Sequence, residues 1–146
     1  MNLFWEMVWQ KNVRVIVMLT NLVEGMGYHS TKCSQYWPTL VGNTCRFHDI
    51  EVQLYDSQDA PDYVVRKFDV SRQDITRTVV HVQCTSWPDR SAPKEAAVLL
   101  QLIDVIRAMA AQHCKCDDNL PIGPWVVHCS AGVGRTGETN RFVWRA

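Results

Sequence analysis

The sequence predicts an α/β fold, a mixed twisted sheet flanked by helices, and three observations carry that expectation. Five segments rich in β-branched or alternating apolar residues (13–19, 45–55, 62–70, 75–84 and 125–129) read as strands. One segment, 94–112, has helical rather than strand periodicity. The last strand runs through a Gly-rich turn into a further helix, a strand–loop–helix unit. At 146 residues with 47% apolar side chains, the chain has the length of one domain and enough apolar surface for a core.

In chain order, "FWEMVW" sets Phe4, Met7 and Val8 on one face of a short helix. "VRVIVML" (13–19) is a buried strand, because its run of β-branched residues suits a sheet covered on both sides. Asn21 to Asn43 is rich in Gly, Ser, Thr and Pro and reads as loop, with a short strand near Lys32. "CRFHDIEVQLY" (45–55), "DYVVRKFDV" (62–70) and "ITRTVVHVQC" (75–84) form an antiparallel section, with an Asp and Pro turn between the first two. His81 lies within the alternation and reads as structural. Pro88 and Pro93 bracket a loop. From 94 to 112, Val98, Leu102, Val105, Ile106 and Met109 share one helical face. "WVVHC" (125–129) is a short buried strand. Met7, Met18 and Met109 read as core filler.

Composition removes several function classes. Lys+Arg and Asp+Glu are both 15, so there is no basic surplus for nucleic acid. The longest apolar run, Val15 to Leu19, is far short of the roughly 18–20 residues a membrane helix needs. The N-terminus has Glu6 early and no basic region, so no secretory signal is read. The six Cys (33, 45, 84, 114, 116 and 129) are therefore expected as reduced thiols in a cytoplasmic setting. His113, Cys114 and Cys116 fall short of a four-ligand metal set, so neither a metal nor another cofactor is expected.

"PWVVHCSAGVGRTG" carries the chemistry. The strand delivers His128 and Cys129 to its end, and Ser130, Ala131, Gly132, Val133, Gly134 and Arg135 make a tight loop before a helix. Backbone N–H groups in such a loop converge on one point, and with the helix dipole they favour a tetrahedral dianion. Gly132 and Gly134 allow positive φ and close approach. Arg135 is placed to grip two phosphate oxygens. The same field lowers the Cys129 pKa from about 8.5 into a range of about 3.5–7.5, giving a thiolate nucleophile. The Thr136 hydroxyl is set to bond the thiolate or assist its departure, and His128 is an orienting group rather than a base. A lone cysteine at a strand end is usually a small buried hydrophobe. The C-x5-R spacing with a following hydroxyl and two loop glycines makes that bland reading the weaker one.

Gly132 to Gly137 is also a literal G-x-G-x-x-G. That dinucleotide fingerprint needs an acidic residue about 20 positions on, and only nine residues follow Gly137. A Walker loop is excluded because no Lys-Ser/Thr pair is present.

"VVHCSAGVGRTG" resembles the signature loop of the tyrosine-specific protein phosphatases, and "TSWPDRSAP" resembles that family's mobile acid loop, with Trp87, Pro88 and Asp89 intact. "KCSQYWP" (32–38), "VIVMLTNLVE" (15–24) and "FWEMVW" match further family motifs in the expected order, so the resemblance runs from about Leu3 to Gly137. It implies a phosphotyrosine-phosphatase-like fold and a two-step phosphoryl transfer on phosphotyrosine-containing proteins. By that resemblance Cys129 attacks phosphorus. Asp89 protonates the leaving phenolate and then helps activate water, a role that loop closure suits by excluding water. Arg135 and the amides of Ser130 to Arg135 hold the equatorial oxygens. Glu24 matches the carboxylate that pairs with the loop arginine, and Lys32 the lysine that contacts the acid loop. The bland reading of both is a solvated turn charge.

The pattern departs from the family at both ends and in the acid loop. The aromatic loop that walls the phosphotyrosine slot would precede Phe4, and the long helix and glutamine loop would follow Gly137, where "ETNRFVWRA" stands. Ser91-Ala92-Pro93 replaces the usual Gly-Val-Pro. Residues 1–146 are thus expected to be a partial catalytic domain, incomplete at both ends. Slow hydrolysis of the intermediate is the expected consequence. A phosphotyrosine-binding pseudo-phosphatase is the competing reading, and an unstable by-product is a third. The parent is expected to be either a soluble enzyme or the cytoplasmic side of a membrane receptor, which leaves membrane contact open.

Overall fold

A computed structural model describes residues 1–25, 30–87, 96–113 and 123–143, with the side chains of 96–98, 113 and 140–143 excepted. Its centre is a six-stranded mixed sheet. Helix α1 (Asn2–Gln10) leads into β1 (Val15–Met18), followed by the small pair β2 (Val23–Glu24) and β3 (Ser30–Thr31). Strands β4 (Thr44–Phe47), β5 (Ile50–Asp59), β6 (Tyr63–Arg72) and β7 (Ile75–Cys84) then form an antiparallel meander. Helix α2 (Ala96–His113), strand β8 (Val126–His128) and helix α3 (Gly134–Val143) complete the order. The sheet runs β4-β5-β6-β7-β1-β8, and β7, β1 and β8 are parallel neighbours.

The alternation along β1 shows how the core is divided. Ile16 and Met18 point to one face, where Trp5 and Val8 of α1 pack with Tyr36, Trp37, Phe47 and Phe68. Val15, Val17 and Leu19 point to the other face, against Leu99, Leu102, Ile103 and Ile106 of α2. A strand covered on both sides needs apolar residues at every position, as the sequence of β1 has. Trp5 is fully buried and donates its indole N–H to the Tyr36 carbonyl at 2.8 Å, tying α1 to the loop before β4. Asn12 takes a left-handed φ of 50° and ends α1, while the Val13 amide still reaches the Val8 carbonyl at 2.9 Å.

Some expectations need correction. The segment 45–55 is two strands, not one, because His48 (φ 57°) turns the chain so that Phe47 pairs with Ile50. A change of parity marks the turn: Phe47 is buried at an odd position, while Ile50, Val52 and Leu54 are buried at even ones. Strand β8 is half-buried rather than buried, since it is the sheet's edge among the described residues. The inner face of α2 is centred on Leu99, Leu102, Ile103 and Ile106, with Val105 and Met109 at its margin. The expected contribution of Val98 lies outside the described side chains. Met18 is fully buried, and Met7 and Met109 pack against the core. Among the described residues no helix is long and apolar enough to cross a membrane.

Candidate active site

Three adjacent parallel strands end on the same side of the sheet, and each hands the chain to a segment singled out above. Past β1 come Thr20 to Glu24, past β7 comes Trp87, and past β8 comes the loop Cys129 to Arg135. The carboxyl edge of parallel strands is where α/β folds assemble ligand sites. Cross-links hold the three exits together. The Leu19 amide donates to the His128 carbonyl at 2.8 Å, Gln83 Nε2 to the Thr20 carbonyl at 3.1 Å, and Asn21 Nδ2 to the Thr85 carbonyl at 3.1 Å.

Cys129 leaves β8 as a free, half-buried thiol. Burial pushes its pKa up, but hydrogen bonds from the Thr136 hydroxyl and from the Thr136, Gly132 and Val133 amides outweigh burial and hold it below the ordinary thiol value. The Thr136 oxygen is itself buried beside the sulfur. Two other described cysteines go the opposite way: burial raises the Cys33 and Cys84 thiols. Gly132 has a φ of 73°, the left-handed turn that aims the following amides inward. Gly134 is not left-handed; it opens α3, correcting the expectation for that glycine.

Arg135 is buried, and its guanidinium plane is fixed by three bonds. Nη1 donates to the Leu19 carbonyl at 2.9 Å and to Glu24 Oε1 at 2.8 Å, and Nη2 donates to Glu24 Oε2 at 2.9 Å. Such a two-point pairing orients both partners. Burial pushes the Glu24 carboxyl up, yet Arg135 and the Asn21 amide overcome it and keep the group below its usual value, so it is ionised at neutral pH. His128 is held between Tyr36 Oη, 2.7 Å from Nε2, and the Cys129 carbonyl, 3.2 Å from Nδ1. Burial lowers its pKa against the opposing pull of that carbonyl, which leaves it neutral near pH 7.

The remaining expected residues are less closely gathered. Trp87 is buried in the α2 side of the core. Lys32 is half-buried just after β3, its amide bonded to the Leu22 carbonyl at 2.8 Å. Asp89 lies outside the described residues, as do Cys114 and Cys116 and the side chain of His113. Ser130 and Ala131 are exposed in the loop, and Val133 stands 76% exposed at its crest. Tyr36 and His81 were not expected near the site. Their common signal is burial of a polar tip within apolar sequence, which needs a partner that only the folded chain supplies.

The sequence model of the family described as protein-tyrosine phosphatase matches residues 1–141. The chain is 41% identical over 137 residues to mouse receptor-type tyrosine-protein phosphatase C, covering 92% of this chain and 10% of that protein. It is 40% identical over 136 residues to human tyrosine-protein phosphatase non-receptor type 7, covering 92% of this chain and 34% of that one. Chicken receptor-type tyrosine-protein phosphatase eta is 38% identical over 137 residues, of which this chain spans 9%. The chain thus spans between about a tenth and a third of the length of these relatives. By the family match over nearly its whole length, this chain belongs to the protein-tyrosine phosphatases.

Proposed function

We propose that this chain dephosphorylates phosphotyrosine on proteins through a cysteinyl-phosphate intermediate. The observation that carries the reading is the environment of Cys129: a thiol whose pKa is lowered by a hydroxyl and three amides, in the loop that also supplies Arg135. In the first step the Cys129 thiolate bonds to phosphorus and the bond from phosphorus to the aryl oxygen breaks. Asp89 gives the leaving phenolate its proton. In the second step water, assisted by the same carboxylate, attacks phosphorus, the sulfur leaves as thiolate, and inorganic phosphate is released. The loop amides and the Arg135 guanidinium, held in plane by Glu24, offset the charge on the equatorial oxygens in both steps. By the family resemblance, Trp87 precedes the acid loop and Lys32 is the lysine that would contact it. Residues 1–146 serve here as part of a catalytic domain placed in the cytoplasm, free or behind a receptor. No cofactor enters this scheme.

Mixing the chain with p-nitrophenyl phosphate in a stopped-flow instrument tests this. We expect a burst of nitrophenolate approaching one equivalent, followed by slower turnover. Cys129→Ser should lose both phases. No nitrophenolate above the Cys129→Ser background would overturn the hydrolase reading. If both proteins then bound a phosphotyrosine peptide equally, the chain would be a binding module.

A further inference from the structure

A line of polar side chains crosses the buried side of the nucleophile loop and ends at a cation far from it in sequence. His128 Nε2 lies 2.7 Å from Tyr36 Oη, and Tyr36 Oη lies 3.0 Å from His81 Nε2. The other ring nitrogen of His81 lies 3.5 Å from Arg66 Nη1, which donates to Gln83 Oε1 at 2.9 Å. Tyr36 and His81 are buried, and the Arg66 guanidinium rests on the Trp37 ring with 4.9 Å to its centroid.

The positions of the protons follow from chemistry. A guanidinium only donates and stays charged. The His81 nitrogen facing it must therefore present a lone pair, even at a separation long for a hydrogen bond, because an N–H there would point at a cation. A neutral His81 then carries its proton on Nε2 and donates to Tyr36. The tyrosine hydroxyl, having accepted, donates to His128 Nε2. His128 must then carry its proton on Nδ1, 3.2 Å from the Cys129 carbonyl oxygen, where a donor is required. The reverse polarity creates two repulsive ends, an N–H against Arg66 and a lone pair against the carbonyl.

We propose that Arg66, acting through His81 and Tyr36, is a positioning residue that fixes the tautomer of His128 and with it the peptide group of Cys129. The inference rests on Cys129 being the nucleophile. A second branch from the same cation supports it. Arg66 holds the Gln83 amide with Oε1 inward, which turns Nε2 to the Thr20 carbonyl. The Thr20 hydroxyl bonds Glu24 at 3.2 Å, and Glu24 holds Arg135. One half-buried cation thus lies behind both the nucleophile and the loop arginine.

Long-range proton–nitrogen spectra of the full chain labelled with 15N-histidine test this. His81 should show a pyrrole-type Nε2 and His128 a pyrrole-type Nδ1, each as a single tautomer. Arg66→Met should give mixed tautomers at both histidines and slow iodoacetamide alkylation of Cys129 several-fold; Arg66→Lys should restore both. Tyr36→Phe should leave His81 unchanged and mix only His128, which keeps the test open if Arg66→Met fails to fold. A wild-type His128 protonated on Nε2 would overturn the proposal. So would unchanged tautomers in Arg66→Met, or altered tautomers with unaltered alkylation. Failure of the phosphatase reading shows differently: wild-type Cys129 would alkylate like an ordinary thiol, indifferent to vanadate, whatever the histidines report.

Discussion

The sulfur of Cys129 is separated from the other described thiols by what surrounds it rather than by exposure. Burial acts on Cys129, Cys33 and Cys84 alike, and only at Cys129 do a hydroxyl and three amides overcome it. Alkylation with iodoacetamide should therefore label Cys129 first as pH rises, with its rate levelling off well below the pH at which Cys33 and Cys84 begin to react. Peptide mapping after short exposures across a pH series reads this directly, and simultaneous labelling of all three would contradict it. The Thr136 hydroxyl is a donor to a charged group, worth about 1.5–3 kcal/mol. With about 1.4 kcal/mol per pKa unit, Thr136→Val should move the Cys129 profile up by about one to two units. Glu24→Gln removes the charge that orients Arg135 and keeps part of the hydrogen bonding. Protection of Cys129 from alkylation by vanadate should then need roughly tenfold more vanadate, the equivalent of about 1.4 kcal/mol, while unprotected labelling continues. Equal protection in both proteins would show that the pair does not serve anion binding.

At the scale of elements, what the sequence revealed and what it hid have different physical origins. Helix α2 and strand β1 were legible because each buries a face or a pair of faces, and burial writes a period into the chain. The loop at Cys129 was legible because amides, glycine and arginine must follow one another closely to surround a phosphate. The β4–β5 turn was hidden because the left-handed residue is His48 rather than a glycine, and a single Asp49 inside an apolar, alternating run is too weak a turn mark. The relay through Tyr36 and His81 was hidden for another reason: its members lie 45 and 92 positions apart, and only strand register brings them together. Gly123 also belongs here. It reads as the end of a connector, yet a Cβ at this position would lie 1.9 Å from the Lys11 carbonyl oxygen and 2.5 Å from that of Asn12. Its amide also donates to Asn12 at 2.9 Å, so the entry to β8 is pressed onto the turn that ends α1. Both neighbours are backbone and have no side chain to move aside. Gly123→Ala should lower stability by at least about 1–3 kcal/mol, measured as a shift in the denaturant midpoint at constant slope, whereas an unshifted midpoint would mean that β8 is not seated there.

For the molecule as a whole, stability should depend on pH chiefly through groups inside the site's supporting network. His81 has its pKa pushed well below the usual value, first by burial and then by Arg66 and His128, and burial lowers His128 as well. Below about pH 6.5 the unfolded chain binds protons that the native histidines refuse, so stability falls as pH falls through that window. The depressed thiol of Cys129 gives a slope of the same sign, because its stabilisation is also lost on acidification. Glu24 joins at lower pH: its contribution is present above the unfolded carboxyl pKa and lost as pH drops through its depressed native value. Asp69 opposes them, since burial raises its pKa and its contribution is present at low pH and lost as pH climbs through that raised value. Below about pH 6.5 the histidines therefore govern, and the urea midpoint should decline on acidification. His81→Gln removes one titrating site while retaining a side chain that can bond Tyr36, so its midpoint should decline less steeply than the wild type whatever its absolute stability. Comparing the two slopes isolates His81 from Cys129 and His128, which titrate in both proteins. Parallel slopes would mean that His81 takes up its proton equally in the folded and unfolded chain, and the neutral, inward-facing histidine on which the proton line from Arg66 depends would then be wrong.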